Sequence, residues 1–177
     1  GEQALEICEM LGIKNTVVHN GFREGLSKEA WFAENKAFYE KLLPTAERCG
    51  VNILCENSTA SNMGAMYFIN TGKDMREFIE FVNHPLIHGC WDTGHAHITG
   101  LKQSDAIRYV GDRLKMLHIN DNFAGDDIHL APFMGTLDWK DAMAGLAAID
   151  YNGVLNFEVG AGRQPAGPRK AFAAYLV

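Results

Sequence analysis

The chain has 177 residues, 47% hydrophobic and 21% charged, with 16 basic against 22 acidic side chains and a net charge of −6. This is the balance of a globular domain, which excludes a disordered chain, a collagen-like repeat and a disulfide-stapled miniprotein. The acidic excess argues against a nucleic-acid surface, which needs basic groups for phosphates, and no apolar run reaches the 18 residues of a membrane helix.

Gly1–Lys14 carries neither a basic leader nor an apolar core of a signal peptide. It starts directly in helical register, as part of a longer chain would. Short apolar runs then alternate with amphipathic stretches, which predicts an α/β fold with a parallel sheet. The predicted strands are Thr16–His19, Val51–Glu56, Leu86–Asp92, Met116–Asn120 and Val154–Val159. Between the first two, a helix over Glu29–Cys49 is expected to kink or break at Pro44 and to stop at Gly50. Met75, Phe78, Ile79 and Val82 follow a cap at Asp74; Ile107, Val110 and Leu114 follow one at Ser104. Trp139, Ala142, Met143, Leu146 and Ile149 follow Asp138, and Pro168 opens a final helix. Trp31, Phe32, Phe38 and Tyr39 form an aromatic band suited to core packing. Cys8, Cys49, Cys55 and Cys90 show no C-x-x-C spacing and three lie in apolar runs, so free buried thiols in a reducing, cytoplasmic setting are expected.

The informative feature is what ends each strand. The endings are Val18-His19-Asn20, Cys55-Glu56-Asn57, Trp91-Asp92-Thr93-Gly94-His95, His118-Ile119-Asn120-Asp121 and Phe157-Glu158-Val159. Every strand delivers a His, Asp or Glu at its C-terminal end, where parallel α/β sheets place their active sites. Any one of these could be a satisfied core group or a helix cap. Five in succession point instead to a converging site, because a carboxylate buried in an apolar strand is costly unless paired or bound to a cation. Mixed oxygen and nitrogen donors suit a divalent ion. His84, His88 and His97 read as structural.

The segments VVHNG, LCENS, WDTGHAHI, LHINDN, DDIHLAPFMGTLDW and LNFEV resemble the xylose-isomerase-like barrels, which include sugar isomerases, sugar epimerases and endonuclease IV-type enzymes. The resemblance covers essentially the whole chain as one domain. It implies a (β/α)8 barrel of which only about five strand–helix units, strands 4–8, are present; 177 residues hold fewer than six units of about 31 residues. The outer strands are then open edges, to be covered by a second copy in a homo-oligomer or by a missing N-terminal segment.

In the sugar branch, the resemblance implies that Glu56, Asp92, His118 and Glu158 hold one divalent ion (Mn, Mg, Co or Zn). Glu56 and Glu158 then move protons beside the carbonyl of a sugar or sugar phosphate, and His95 orients a hydroxyl. In the endonuclease IV branch, His19, His95, Asp127 and His129 join them in a zinc phosphodiesterase acting on abasic DNA. The acidic charge favours the small sugar over nucleic acid. Arg163, just beyond Glu158, is a further candidate for a substrate phosphate. The stretch Asn122-Phe123-Ala124-Gly125 lacks the Arg that ketohexose epimerases of the group often carry after the metal His. A non-catalytic fragment or binding module that merely retains the ligands is the third reading.

Overall fold

The computed structural model describes residues 1–21, 23–160 and 166–176. Its elements run α1 (Glu2–Leu11), β1 (Asn15–Val17), α2 (Lys28–Cys49), β2 (Asn52–Glu56), α3 (Ala60–Met63), α4 (Gly72–Val82) and β3 (Ile87–Asp92). They continue with α5 (Thr93–Ile98), α6 (Gln103–Val110), a 3-10 turn (Gly111–Arg113), β4 (Leu114–Ile119), α7 (Trp139–Ala148), β5 (Val154–Phe157) and α8 (Ala166–Leu176). The five strands form one sheet in the order β1-β2-β3-β4-β5, and every neighbouring pair is parallel. The parallel α/β sheet is the one that the alternation of apolar runs and amphipathic stretches predicts, and it forms part of the (β/α)8 barrel that the family resemblance implies.

Register explains why the strand ends converge. Glu56 lies opposite Cys90, and Asp92 opposite His118, which in turn lies opposite Asn156. Side chains two apart on a strand share a face. Glu56, Asp92, His118 and Glu158 therefore stand on one face at one end of the sheet. The opposite face packs on the helices. There Trp31, Tyr39, Ile53, Phe78, Ile87, Trp91 and Ile107 are almost wholly shielded from water. Trp31 and Phe78 meet at ring centroids 5.7 Å apart, and the aromatic band is core apart from the half-exposed Phe38. All four cysteines are free and buried.

Several helix ends differ from the expectation. α4 starts at Gly72, not after Asp74: Thr71 is the cap, and Thr71 and Asp74 satisfy each other's backbone N–H in a capping box. Asp74 is thus the third residue of the box. α6 starts at Gln103 with no side-chain cap from its own N-cap residue. Ser104 lies inside it and donates from both its backbone N and its hydroxyl to the Asp141 carboxylate, at 2.9 and 2.6 Å. The cap comes from α7, which no local pattern can reveal. α2 continues unbroken through Pro44. The carbonyl deprived of a donor belongs to Glu40, an exposed residue, so water can replace the lost bond while Leu42, Ala46 and Cys49 stay buried. α8 begins at Ala166, two residues before Pro168. Gly50 ends α2 with φ 63°, and Asp138 caps α7, as expected.

The last strand is open. Val154, Leu155 and Phe157 are 43%, 52% and 40% exposed, although such side chains in a parallel sheet are ordinarily covered. On the α1 side Met10 and Leu11 are also exposed.

Two contacts on the helical face are sensitive to single changes. A Cβ on Gly72 would lie 2.1 Å from the Ala106 carbonyl oxygen, so Gly72→Ala should force α4 from α6 and cost about 1–3 kcal/mol. Asp141→Ala should cost about 1 kcal/mol through loss of the α6 cap. Urea unfolding measures both; no loss of stability in either variant would contradict this packing.

Candidate active site

Glu56, Asp92, His118 and Glu158 each offer one ligand atom, and these atoms all lie within 4.8 Å of one another. The Glu56 side chain is 3% exposed and that of Asp92 0%. His118 Nδ1 lies 2.8 Å from Glu56 Oε1 and also 2.8 Å from Glu158 Oε2. One ring nitrogen carries one proton, which makes its hydrogen bond to Glu56, and among the described residues the buried atom Glu158 Oε2 has no hydrogen-bond partner. A second histidine, His19, meets the other oxygen of Glu56 at 2.7 Å.

The electrostatics follow from this crowding. Burial pushes the Glu56 carboxyl up, but hydrogen bonds and charge from His118 and His19 outweigh it and hold the group at about 2. Burial lifts Asp92 to about 6, against the pull of His95. His118 is disfavoured as a cation by burial, yet Cys90, Glu158 and Glu56 raise it well above its ordinary value. His118, 2.8 Å from Glu158, lowers that carboxyl. His118 thus serves as counter-charge to both Glu56 and Glu158, while Asp92 faces His95. A divalent ion fits this donor set: it would take the Nδ1 lone pair after that proton leaves, and would pair with the orphaned Glu158 oxygen.

Neighbouring asparagines hold the acids in place. Asn57 accepts from the Asp92 backbone N and donates to the Asp92 carbonyl, at 2.7 and 3.0 Å. Asn120 donates to Asp92 Oδ2 at 2.8 Å, and the His95 backbone N donates to Oδ1 at 2.7 Å. A Cβ on Gly94 would meet Asn120 Oδ1 at 1.8 Å, so glycine is required beside this contact. Tyr67, buried, donates from its hydroxyl to the Glu56 carbonyl.

Beside these acids His95, Asp127 and His129 form a second candidate group for a cation. His95 Nδ1 lies 2.9 Å from the Asn57 carbonyl and His129 Nδ1 2.7 Å from the Glu158 carbonyl. A carbonyl only accepts, so both rings donate there and turn Nε2 toward Asp127 Oδ2, at 3.1 and 3.2 Å. That orientation, fixed by the far nitrogen, is typical of metal-binding histidines. Burial opposes the charged form of His95, but Asp127 and Asp92 raise it to about 9. Asp127 likewise raises His129 to about 9.

Glu56, Glu158, His19, His95, Asp127 and His129 all face one cavity of about 210 Å³, while Asp92 and His118 do not line its wall. Arg163 lies outside the described residues. His97 bonds Thr136 instead, and His84 bonds Glu47 and the Leu86 backbone N. Sequence reasoning missed Asn57, Asn62, Tyr67 and Asn120; only Asn57 and Asn120, at strand ends, carried a positional signal.

The family pattern described as the xylose isomerase-like TIM barrel matches residues 2–175. The chain belongs to that family. It is 31% identical over 118 residues to a D-psicose 3-epimerase of Enterocloster bolteae, across 67% of this chain and 36% of the relative. It is 27% identical over 131 residues to a probable endonuclease 4 of Staphylococcus carnosus, across 68% of this chain and 43% of the relative. Among solved structures, a D-tagatose 3-epimerase-like protein superposes with a TM-score of 0.78 at 22% identity, over 99% of this chain and 66% of that one; that likeness speaks for the fold. The chain therefore spans less than half the length of these two curated relatives.

Ion binding has a direct thermodynamic readout. With Mn²⁺ at 100 times its Kd, the unfolding free energy should rise by about 2.7 kcal/mol. Glu158→Gln should lose most of that gain. An unchanged response in the variant would remove Glu158 from the ligand set.

Proposed function

We propose that this chain carries the proton-transfer site of a divalent-metal-dependent isomerase or epimerase acting on a sugar or sugar phosphate. The observation that carries the reading is the placement of Glu56 and Glu158 on the wall of one polar cavity, each against His118 and close to Asp92. The similarity to sugar 3-epimerases supports it.

Glu56, Asp92, His118 and Glu158 would hold one ion, of Mn, Mg, Co or Zn, which when bound polarises the substrate carbonyl as a Lewis acid. The remaining work falls to the chain. Glu56 and Glu158 reach the cavity from β2 and from the end of β5, so they can flank one carbon. One takes its proton and the other returns one. His95, its Nδ1–H held by the Asn57 carbonyl, presents Nε2 to a substrate hydroxyl, and Arg163 is a candidate for a phosphate. The open β1 and β5 edges would be covered by a second copy or by a preceding segment of a longer chain. A cytoplasmic setting is consistent with four unpaired thiols.

The endonuclease IV-like reading is favoured by one specific feature: His19, His95, Asp127 and His129 border the same cavity with both lower imidazoles already oriented on backbone carbonyls. Against it stands the net charge of −6, which disfavours a phosphate backbone. A non-catalytic binding module would keep the ions and show no turnover.

Proton transfer through solvent-exchangeable carboxyl groups leaves a label. In D₂O with added Mn²⁺, a panel of ketoses, aldoses and their phosphates should yield at least one sugar deuterated at the carbon beside the carbonyl. Glu56→Gln and Glu158→Gln should each lower the exchange by about 100-fold or more. Turnover without deuterium, or cleavage of abasic-site DNA in place of sugar exchange, would overturn the proposal.

A further inference from the structure

The His95–Asp127–His129 group has a fourth member that the proposed chemistry does not use. Asn62, on the single-turn helix α3, places its side-chain Nδ2 2.6 Å from Asp127 Oδ2 and 3.1 Å from His95 Nε2. An imidazole nitrogen that bears no proton has one lone pair. At His95 the Nδ1–H is committed to the Asn57 carbonyl, so a proton, an amide N–H or a cation must compete for the single lone pair of Nε2. The Asn62 amide is aimed at that lone pair and at the Asp127 oxygen that faces both histidines.

We propose that Asn62 is a specificity-determining residue whose amide stands in for a second cation and keeps this site a single-ion site. The inference rests on the single-ion reading above and adds the reason why the second group stays free of metal. An amide supplies two N–H donors without a formal charge. It satisfies Asp127 Oδ2 directly and occupies the place beside His95 Nε2 where an ion would sit, leaving a polar wall suited to sugar hydroxyls. It is a gate and not a lock, for two reasons. Asn62 is exposed and α3 spans only Ala60–Met63, so a side-chain rotation withdraws the amide without disturbing the sheet. A hydrogen bond is also much weaker than a histidine–metal bond. Once the amide has left, Asp127 Oδ2, which faces both histidines, is free for a second ion, and the buried Oδ1, without a hydrogen-bond partner among the described residues, is a further acceptor.

The test is ion binding by calorimetry on the full chain stripped with a chelator, first with Mn²⁺ and then with Zn²⁺. Wild type should bind one ion tightly and a second only weakly. Asn62→Ala should tighten the second ion by about fivefold or more, and Asn62→Asp by more again. The first affinity should stay within about twofold, because the first four ligands include none of these residues. Adding His129→Ala to Asn62→Ala should abolish the gain and so locate the second ion. Equal second-ion affinity in wild type and Asn62→Ala would overturn the inference, as would a wild type that fills both groups equally. Failure of the first ion to bind would count against the proposed function instead, and the Asn62 comparison would still be readable from the second group. Circular dichroism distinguishes a folding defect, and Asn62→Ser offers a smaller change with the same expected direction.

Discussion

Burial of carboxylates at the ends of parallel strands is the constraint on which the rest of this site depends. Glu56 and Asp92 are almost wholly removed from water, and an ionised carboxylate in that position is expensive without compensation. The chain compensates in layers. Histidines meet Glu56 from two sides, asparagines and a backbone N–H meet Asp92, and Glu158 Oε2 has no hydrogen-bond partner among the described residues. A site with an unspent acceptor and shared protons is poised to accept positive charge.

A third buried carboxylate shows the opposite design. Asp121, 0% exposed, accepts from the backbone N of Asn122, Phe133 and Leu137 and from Trp139 Nε1. Its backbone also bridges to Leu130 in both directions. All its acceptor capacity goes into the loop between β4 and α7, and Gly135 must be glycine because a Cβ there would lie 2.3 Å from Asp121 Oδ1. Asp121 thereby carries the segment that presents Asp127 and His129 over the cavity. Asp121 is thus fully buried and saturated, whereas Glu158 is partly open to the cavity and is not saturated by the described residues.

Much of this was legible in the sequence because β structure has a period of two. Once the apolar runs are placed, a polar residue at each C-terminal end must fall on a predictable face, and parallel pairing brings the ends together. The fold class followed from the same alternation. What was not legible depends on contacts between distant segments. Asp141 caps α6 through Ser104, 37 residues earlier, and Asn62 reaches across to Asp127, 65 residues away. Asp74 looked like a cap because acidic residues favour first turns, but Thr71 could fill the same role one turn-length earlier, and the box uses both. Pro44 misled in the other direction: local chemistry predicts a break, while burial on both sides of it keeps the helix whole.

Val154 lies on the face that carries the acids and Leu155 and Phe157 on the opposite face, and all three are exposed, so β5 is uncovered on both sides, while the relatives' chains are longer than this one. The site nonetheless draws its acids and histidines from strands that are all present here. Its central claim, that these strand ends converge on one ion, is tested most directly by anomalous diffraction from crystals of the chain soaked in Mn²⁺. The account predicts one dominant peak about 2 Å from oxygens of Glu56, Asp92 and Glu158 and from Nδ1 of His118. A peak bound only by His95, Asp127 and His129, or no peak between the four strand ends, would contradict it.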